Sequence, residues 1–464
     1  MRKDKINQIK RGPMTAVLMV GSFISILNLT LLTTAIPSIM EVFHLSANEG
    51  QWLNTAFIVV LGILIPITAY FIKNYSVRKL FYSAMGAFTL GTFLSSIAFS
   101  FEILLLGRVI QAVGAGIMFP LVKSIVVLMY PINKRGTIMG IGGLVASFAP
   151  AIGPTLAGWL IELFSWRAVF ITVLPIAAID MLVGYFVLAD VTEQERSNLD
   201  IKSLLLSTIG FGGLLLGCSL AGQKEMSIIF GGSSIILGAL SVVLFTYRQL
   251  TLDKPILEFR VFKNSMFTVA TIVAIISFSL MISAETILPI YMHQVLEYSP
   301  LEAGLVLLPG SVVFGIVTLV SGIIYDRVGV RWLAIIGLTI VAISTYLFTD
   351  LTSERSFAYI TIIQTVRMLG ISMLNMPIQT AGLNQLQESL IPDGSTMMSA
   401  LRQVFAGVGT ALFITIITLT SKTEGGAGLI KGVNHSFLAA TLIAIIGVLL
   451  STVINERAKT YAPK

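Results

Sequence analysis

Fourteen apolar stretches divide the chain almost from end to end. Each has about the length that a helix needs to cross ~30 Å of hydrocarbon. They run over residues 14–38, 51–72, 80–99, 102–129, 137–161, 168–189, 203–222, 227–247, 267–292, 303–324, 331–349, 356–378, 398–420 and 435–454. Hydrocarbon offers no water to backbone N–H and C=O groups, so each span must satisfy its own as a helix. The expected fold class is an all-α membrane protein with fourteen transmembrane helices. Charged residues make up only 11% of the 464, against roughly 25% in soluble domains. So few charges cannot cover a soluble body of this size, whereas a lipid-facing surface needs none.

The net charge of +7 would point to nucleic acid in a soluble protein. Here the distribution decides otherwise, and no nucleic-acid partner is expected. With the N-terminus inside, the segments on the cytoplasmic side hold 22 Lys and Arg and the outer loops hold 5, while Arg108, Lys123 and Arg367 lie within spans. That asymmetry predicts both termini in the cytoplasm. The longest inside connections include 189–203 and 247–265, which bracket spans 7 and 8, whose interiors are almost free of polar groups. The organisation reads as a cytoplasmic segment (1–13), a six-helix bundle (14–189), a two-helix insert with its loops (190–265), a second six-helix bundle (266–454) and a cytoplasmic tail (455–464). The first apolar run is too long for a cleavable signal and leads into "LTLLTTAIP". Cys218, the single cysteine, sits in an apolar run as a packing residue.

No loop is long enough for a soluble catalytic domain. His44, His293 and His435 fall in or beside outer loops at no ligand spacing. There is no GxxxxGK[ST] nucleotide loop. The reading is a protein without catalytic residues, metal or cofactor, and not an enzyme.

Two short basic links recur at matching places in the halves: "AYFIKNYSVRK" (69–79) and "SGIIYDRVGVR" (321–331). The second carries Gly322, Asp326, Arg327, Gly329 and Arg331 in the pattern G-x-x-x-D-R-x-G-x-R. Glycine permits a tight turn and close helix approach. The acid can face a neighbouring helix N-terminus, and the arginines can bind carboxylates or phosphates at the interface. An ordinary inside-positive loop is the plainer reading.

With these links, "LNLTLLTTAIPSIM" in span 1, "QWLNTAFIV" opening span 2, "LLLGRVIQAVGAG" in span 4, "FAPAIGPTLAGWL" in span 5, "SWRAVF" opening span 6 and "PILEFRVFKN" before span 9 bring the family into view. The chain resembles the fourteen-span drug:proton antiporter branch of the major facilitator superfamily (EmrB/QacA type). It is similar to lincomycin-resistance and multidrug exporters of Gram-positive bacteria over essentially its whole length. The resemblance implies the major facilitator fold in a 6 + 2 + 6 arrangement, a gating role for the link at 322–331, and an antiporter motif in span 5 at Gly153, Pro154 and Gly158. It also marks departures: Lys73 stands where the first link should carry an acid, Ser76 replaces its second glycine and Ala69 its first, and Ala157 replaces a glycine of the span-5 motif.

Charges inside spans narrow the search. Arg108 lies ~9 Å in from Glu102 at 1.5 Å per residue, a depth from which an arginine can also snorkel. The resemblance links Arg108, with Gln111 one turn on, to proton coupling. Arg367 lies ~16 Å from the outer end of span 12, too deep for an interfacial role. Lys123, near the inner end of span 4, reads as a snorkelling anchor. Of the 23 acids, Asp180 and Glu285 alone fall well inside predicted spans. Each is a candidate for proton coupling or cation recognition. For Glu285 the alternative is a permanent ion pair with an arginine; for Asp180 it is a peripheral helix bending toward water.

If Arg108 and Arg367 correspond under the repeat, Glu285 is the second-half counterpart of Asn28. Asn28 lies in a polar notch with Thr30, Thr33 and Thr34. An amide carries no proton but both donates and accepts hydrogen bonds, so Asn28, Thr30 and Gln111 are expected along a substrate cavity. Most of the 27 Phe and 18 Met fill helix interfaces, and some can line an adaptable cavity. The expectation is a monomeric multidrug antiporter of the bacterial cell membrane, surrounded by lipid and exchanging amphiphilic or cationic small-molecule drugs for protons. Sodium coupling, or export of a lipid or metabolite, is the alternative.

Overall fold

The structure, a computed structural model, describes residues 10–454 apart from 192, 193, 195–197, 221–224 and 425–427. Fourteen long helices follow one another: α1 (Arg11–Phe43), α2 (Ala47–Asn74), α3 (Val77–Ser96), α4 (Phe101–Met129), α5 (Ile132–Leu163), α6 (Ala168–Val187), α7 (Ile201–Leu220), α8 (Glu225–Thr251), α9 (Ser265–Gln294), α10 (Pro300–Val328), α11 (Arg331–Leu347), α12 (Phe357–Asn384), α13 (Ile391–Glu424) and α14 (Gly428–Thr452). Each apolar stretch of the sequence corresponds to one of them, and no strand occurs among the described residues. Thirteen are long and apolar enough to cross a membrane; α3, with Arg78 and Lys79 in its first turn and several Ser and Thr beyond, is the less apolar fourteenth.

Three helices, α5, α13 and α14, start well before the hydropathy reading has them. The polar strings "INKRG" and "IPDGS" wind as the first turns of α5 and α13. Hydropathy marks where hydrocarbon ends, not where hydrogen bonding ends. Asp393, assigned by the sequence to a loop, is therefore helical and wholly buried.

Helix starts are fixed locally. Ser46 and Glu49 form a reciprocal capping box at α2, and Ser299 and Glu302 another at α10. Ser76 caps α3, and the Asn264 side chain caps α9. The turn after α10 passes through Gly329 at φ 84°, a left-handed backbone that favours glycine.

The described residues fall into two compact units. The first comprises the chain up to Pro131, Gly142–Phe259 and Glu388–Leu412. In it α4 packs on α1, α2 and α3, and α6 on α1 and α3. Lipid supplies no hydrophobic drive between helices, so association rests on close packing of small residues. A Cβ on Gly91 of α3 would lie 2.5 Å from the Gly107 carbonyl oxygen of α4. The two backbones touch there, which sets Thr92 opposite Gln111. The insert pair α7–α8 lies against α2 through α7. Its base is polar: Asp200 accepts from Arg248 Nε at 2.6 Å and Nη2 at 3.0 Å. The guanidinium and the Ser203 donors hold the Asp200 carboxyl well below the usual carboxylate range. Buried Gln249 donates to Ser203 Oγ at 2.6 Å and accepts the N–H of Ile256 and Leu257, tying the following connector to the insert.

The second unit comprises Ile132–Ile141, Arg260–Gln387 and the chain from Phe413. Here α12 packs on α9, α10 and α11, and α14 on α9 and α11. Its core gathers Leu288, Tyr291, Phe348, Phe413 and Phe437, with the Phe348 and Phe437 rings 5.0 Å apart. Gly337 and Gly370 repeat the close approach of the first unit, each Cβ falling 2.6 Å from the other's carbonyl oxygen. That contact sets Thr345 opposite Arg367.

Candidate functional site

The first unit buries a cation among neutral groups. Arg108 is wholly buried on α4. Its Nη1 donates to Asn28 Oδ1 of α1 at 2.6 Å and to Gln111 Oε1 at 2.7 Å. Its Nε donates to the Leu53 carbonyl of α2 at 3.4 Å, and the guanidinium lies over the Phe57 ring at 4.3 Å. Gln111 then donates to Thr92 Oγ1 at 2.8 Å. Such charge-assisted hydrogen bonds contribute about 1.5–3 kcal/mol each, and a desolvated cation–π contact about 2 kcal/mol. No carboxylate pairs with Arg108 among the described residues, and its Nη2 and the Asn28 Nδ2 make no hydrogen bond there. The charge is solvated by dipoles, not cancelled.

The rest of the span-1 notch faces elsewhere. Thr30 donates to the carbonyls of Leu27 and Ala149, the second on α5. Gly153 packs on it so closely that a Cβ would stand 2.2 Å from Thr30 Oγ1. Thr33 is exposed and bonds its own helix. Pro154 and Gly158 of the same α5 segment are exposed, and nothing lies within 4 Å of a Cβ placed on Gly158.

Asp180 lies on α6, 5% exposed, with its Oδ2 unpartnered among the described residues. It faces α1, where a Cβ on Gly21 would be 3.3 Å from that oxygen and 3.1 Å from Met85 Sδ.

In the second unit, buried Arg367 of α12 donates from Nε to Thr345 Oγ1 at 3.0 Å and from Nη2 to the Leu280 carbonyl of α9. Its Nη1 has no hydrogen-bond partner among the described residues. Glu285, five residues along α9 from Leu280, is exposed and makes no hydrogen bond or ion pair among the described residues; it lies within electrostatic reach of Arg367. Gln364, one turn from Arg367, is fully buried with both its amide oxygen and nitrogen unpartnered in the same set. The two arginine sites thus share a plan, an arginine fixed by hydroxyl, amide or carbonyl groups. They differ in the α1 and α9 residues, amide in one and acid in the other.

Away from the buried arginines, the two basic links meet helix starts by opposite chemistry. Asp326 accepts from the N–H of Gly136 at 2.8 Å, the N–H of Thr137 at 2.7 Å and Thr137 Oγ1 at 2.6 Å, near the beginning of α5. Gly322 lets α10 reach α5: a Cβ there would lie 2.3 Å from the Gly136 carbonyl oxygen. Arg135 donates to Asn384 Oδ1 at 2.7 Å, and Asn384 in turn to Tyr325 Oη at 3.0 Å. Arg327 and Arg331 are exposed. In the first link, Lys73 forms an ion pair with Asp393 of α13 at 2.5 Å. Lys123 of α4 donates to Ser399 of α13 at 3.2 Å.

Sequence reasoning passed over Thr92, Phe57, Thr345, Gln364 and Asp393. The first four are ordinary residue types in apolar runs, and only the glycine contacts place Thr92 and Thr345. Asp393 had a signal, an acid two residues into "IPDGS", at a helix start that hydropathy hides.

Comparisons with known proteins agree with this architecture. The Major Facilitator Superfamily profile matches residues 18–414. The MFS-type transporter YcnB of Bacillus subtilis is 44% identical over 96% of this chain and 95% of its own. The lincomycin resistance protein LmrB of Listeria innocua is 36% identical over 97% and 98%. The human organic anion transporter MFSD10 superposes with a TM-score of 0.70 over 96% of this chain and all of its own, at 14% identity, a likeness of fold. The chain is a multi-pass membrane transporter, not an enzyme, and it belongs to the Major Facilitator Superfamily among relatives that include drug exporters.

Proposed function

We propose that the protein exports amphiphilic or cationic drugs from the bacterial cytoplasm in exchange for protons, by alternating access, with both termini inside and as a monomer in the cell membrane. The observation that carries this reading is the Glu285–Arg367 arrangement. A carboxyl in a membrane span, exposed and without a hydrogen bond or ion pair among the described residues, is free to exchange a proton or to meet a cationic drug. Arg367, within electrostatic reach, competes for its charge. In the first unit Asn28 cannot titrate, so no proton is exchanged at that position, and Asn28 and Gln111 together hold Arg108 in place. Asn28, Thr30 and Gln111 supply polar groups for the substrate path, and Asp180 a second acid. The link from Gly322 to Arg331, through Asp326, Arg327 and Gly329, gates the cytoplasmic side; Gly153, Pro154 and Gly158 shape α5. The lincomycin-resistance relative supports drugs as the substrate class.

The test is drug uptake into vesicles carrying the purified protein, driven by an imposed proton gradient. A protonophore is expected to abolish transport, and Glu285→Gln to cut it at least tenfold with drug binding retained. Asp180→Asn and Asn28→Asp, measured beside it, are expected to do less. Transport that persists with the proton gradient collapsed overturns proton coupling, and a requirement for sodium in that case supports sodium exchange.

A further inference from the structure

We propose that Lys73, Asp393 and Gln249 form a clasp holding the start of α13 to the α2–α3 link and to the two-helix insert, and that α13 moves in the transport cycle only when this clasp opens. The proposal rests on the alternating-access reading for its last clause alone.

Lys73 occupies the place where the link pattern calls for an acid. The acid has not been lost; it stands on the opposite helix. Asp393 is wholly buried in the first turn of α13, and its Oδ2 meets Lys73 Nζ at 2.5 Å, the lysine side chain being 14% exposed. In the second link the link gives the acid, Asp326, and the start of α5 gives the donors. In the first the link gives the cation and the helix gives the acid. The two links therefore perform one task, gripping a helix start, with the charges exchanged.

Asp393 has a second partner. Its Oδ1 accepts the N–H of Glu258 at 3.0 Å, and Glu258 directly follows Ile256 and Leu257, whose N–H groups are held by Gln249 Oε1 at 2.7 and 3.3 Å. Gln249 is buried and braced on Ser203 at the base of α7. One continuous set of contacts thus runs from the insert through the connector to Asp393 and on to Lys73. Breaking one side of a buried ion pair leaves an uncompensated charge. The start of α13 therefore releases in one step, giving up Lys73 and the Glu258 N–H together. This assigns the insert a task beyond occupying bilayer area: it positions the backbone donor that orients Asp393.

The test reads α13 directly, without drug or gradient, so its outcome is separate from the Glu285 experiment. In a Cys218→Ser background, Ser395→Cys places a reporter thiol at a site 1% exposed, two residues beyond Asp393 and against the Pro120 carbonyl. Its rate of reaction with a small soluble maleimide measures opening. Lys73→Met and Asp393→Asn are each expected to speed labelling at least tenfold. The double variant is expected to match the faster single within twofold, because both remove the same contact. Lys73→Arg, which keeps the charge, is expected within threefold of the parent, and Gln249→Ala to speed labelling at least threefold. Single effects that multiply in the double variant, or parent rates for Lys73→Met and Gln249→Ala, overturn the clasp. Should Asp393→Asn fail to fold, the Lys73 and Gln249 variants decide on the same criteria.

Discussion

Removing Asn28 and Gln111 together is expected to destabilise the protein by more than the sum of the single losses. Arg108 Nη1 divides its donors between Asn28 at 2.6 Å and Gln111 at 2.7 Å. Asn28→Ala removes one charge-assisted bond, about 2 kcal/mol, and leaves Gln111, the Leu53 carbonyl and the Phe57 ring in place. Unfolding entropies near 2.1 cal/mol/K per residue give about 1 kcal/mol/K for a chain of 464 residues. The single variant should therefore melt about 2 °C lower. Gln111→Ala costs a similar amount and also frees Thr92. In the double variant Nη1 has no acceptor at all, and a buried charged donor left unsatisfied adds about 1–3 kcal/mol. The expected drop is then about 5–7 °C. The assay is a thermal melt of detergent-solubilised protein, with Arg108→Met as control. Arg108→Met removes the cation but strands the buried Asn28 and Gln111 amide oxygens that it satisfied, so that control should also melt lower than the parent. Additive drops, or an Arg108→Met protein that melts at the parent temperature, would refute the view that Asn28, Gln111 and their neighbours hold this cation.

Other consequences can be checked in the same preparations. Thr345→Val takes the Nε acceptor from Arg367 and is expected to cost about 1.5–3 kcal/mol in melting experiments, where Thr349→Val on the exposed turn should cost nothing measurable. Gly322→Ala drives a methyl to 2.3 Å from the Gly136 carbonyl oxygen, so it should lower the melting temperature and slow transport together. Asp200→Asn loses a partly exposed pair worth about 0.5–1 kcal/mol. Because the Asp200 carboxyl is held below its ordinary value, that contribution is full above about pH 4 and is lost only as pH falls through the lowered value. The variant and parent should differ at pH 7 and converge in strong acid.

The fold was legible because a bilayer makes hydropathy nearly sufficient: a run of about twenty apolar residues has one way to satisfy its backbone. The ends were not, since α5 and α13 continue through "INKRG" and "IPDGS" on hydrogen bonds that hydropathy does not register. Of the polar residues, Arg108, Arg367, Asp180 and Glu285 stood out by their charge alone. Their partners did not. Thr92 and Thr345 are single hydroxyls among many, and what selects them is the backbone contact at Gly91 and Gly107 or at Gly337 and Gly370. Lys73 reads in the sequence as a departure from the link pattern, because its partner Asp393 lies 320 positions away along the chain. Gln364, buried with both polar atoms unpartnered, has no account in the contacts of the described residues.

The neutral company of Arg108 has a consequence in voltage. A unit charge carried across a membrane potential changes free energy by about 2.3 kcal/mol per 100 mV. Arg108 is balanced by an asparagine and a glutamine, so the field acts on it in every protonation state of the protein. Arg367 has the acid Glu285 within electrostatic reach, so the net charge on which the field acts there depends on whether Glu285 carries a proton. The two halves therefore meet the field differently, one through a lone cation and the other through a cation beside an acid.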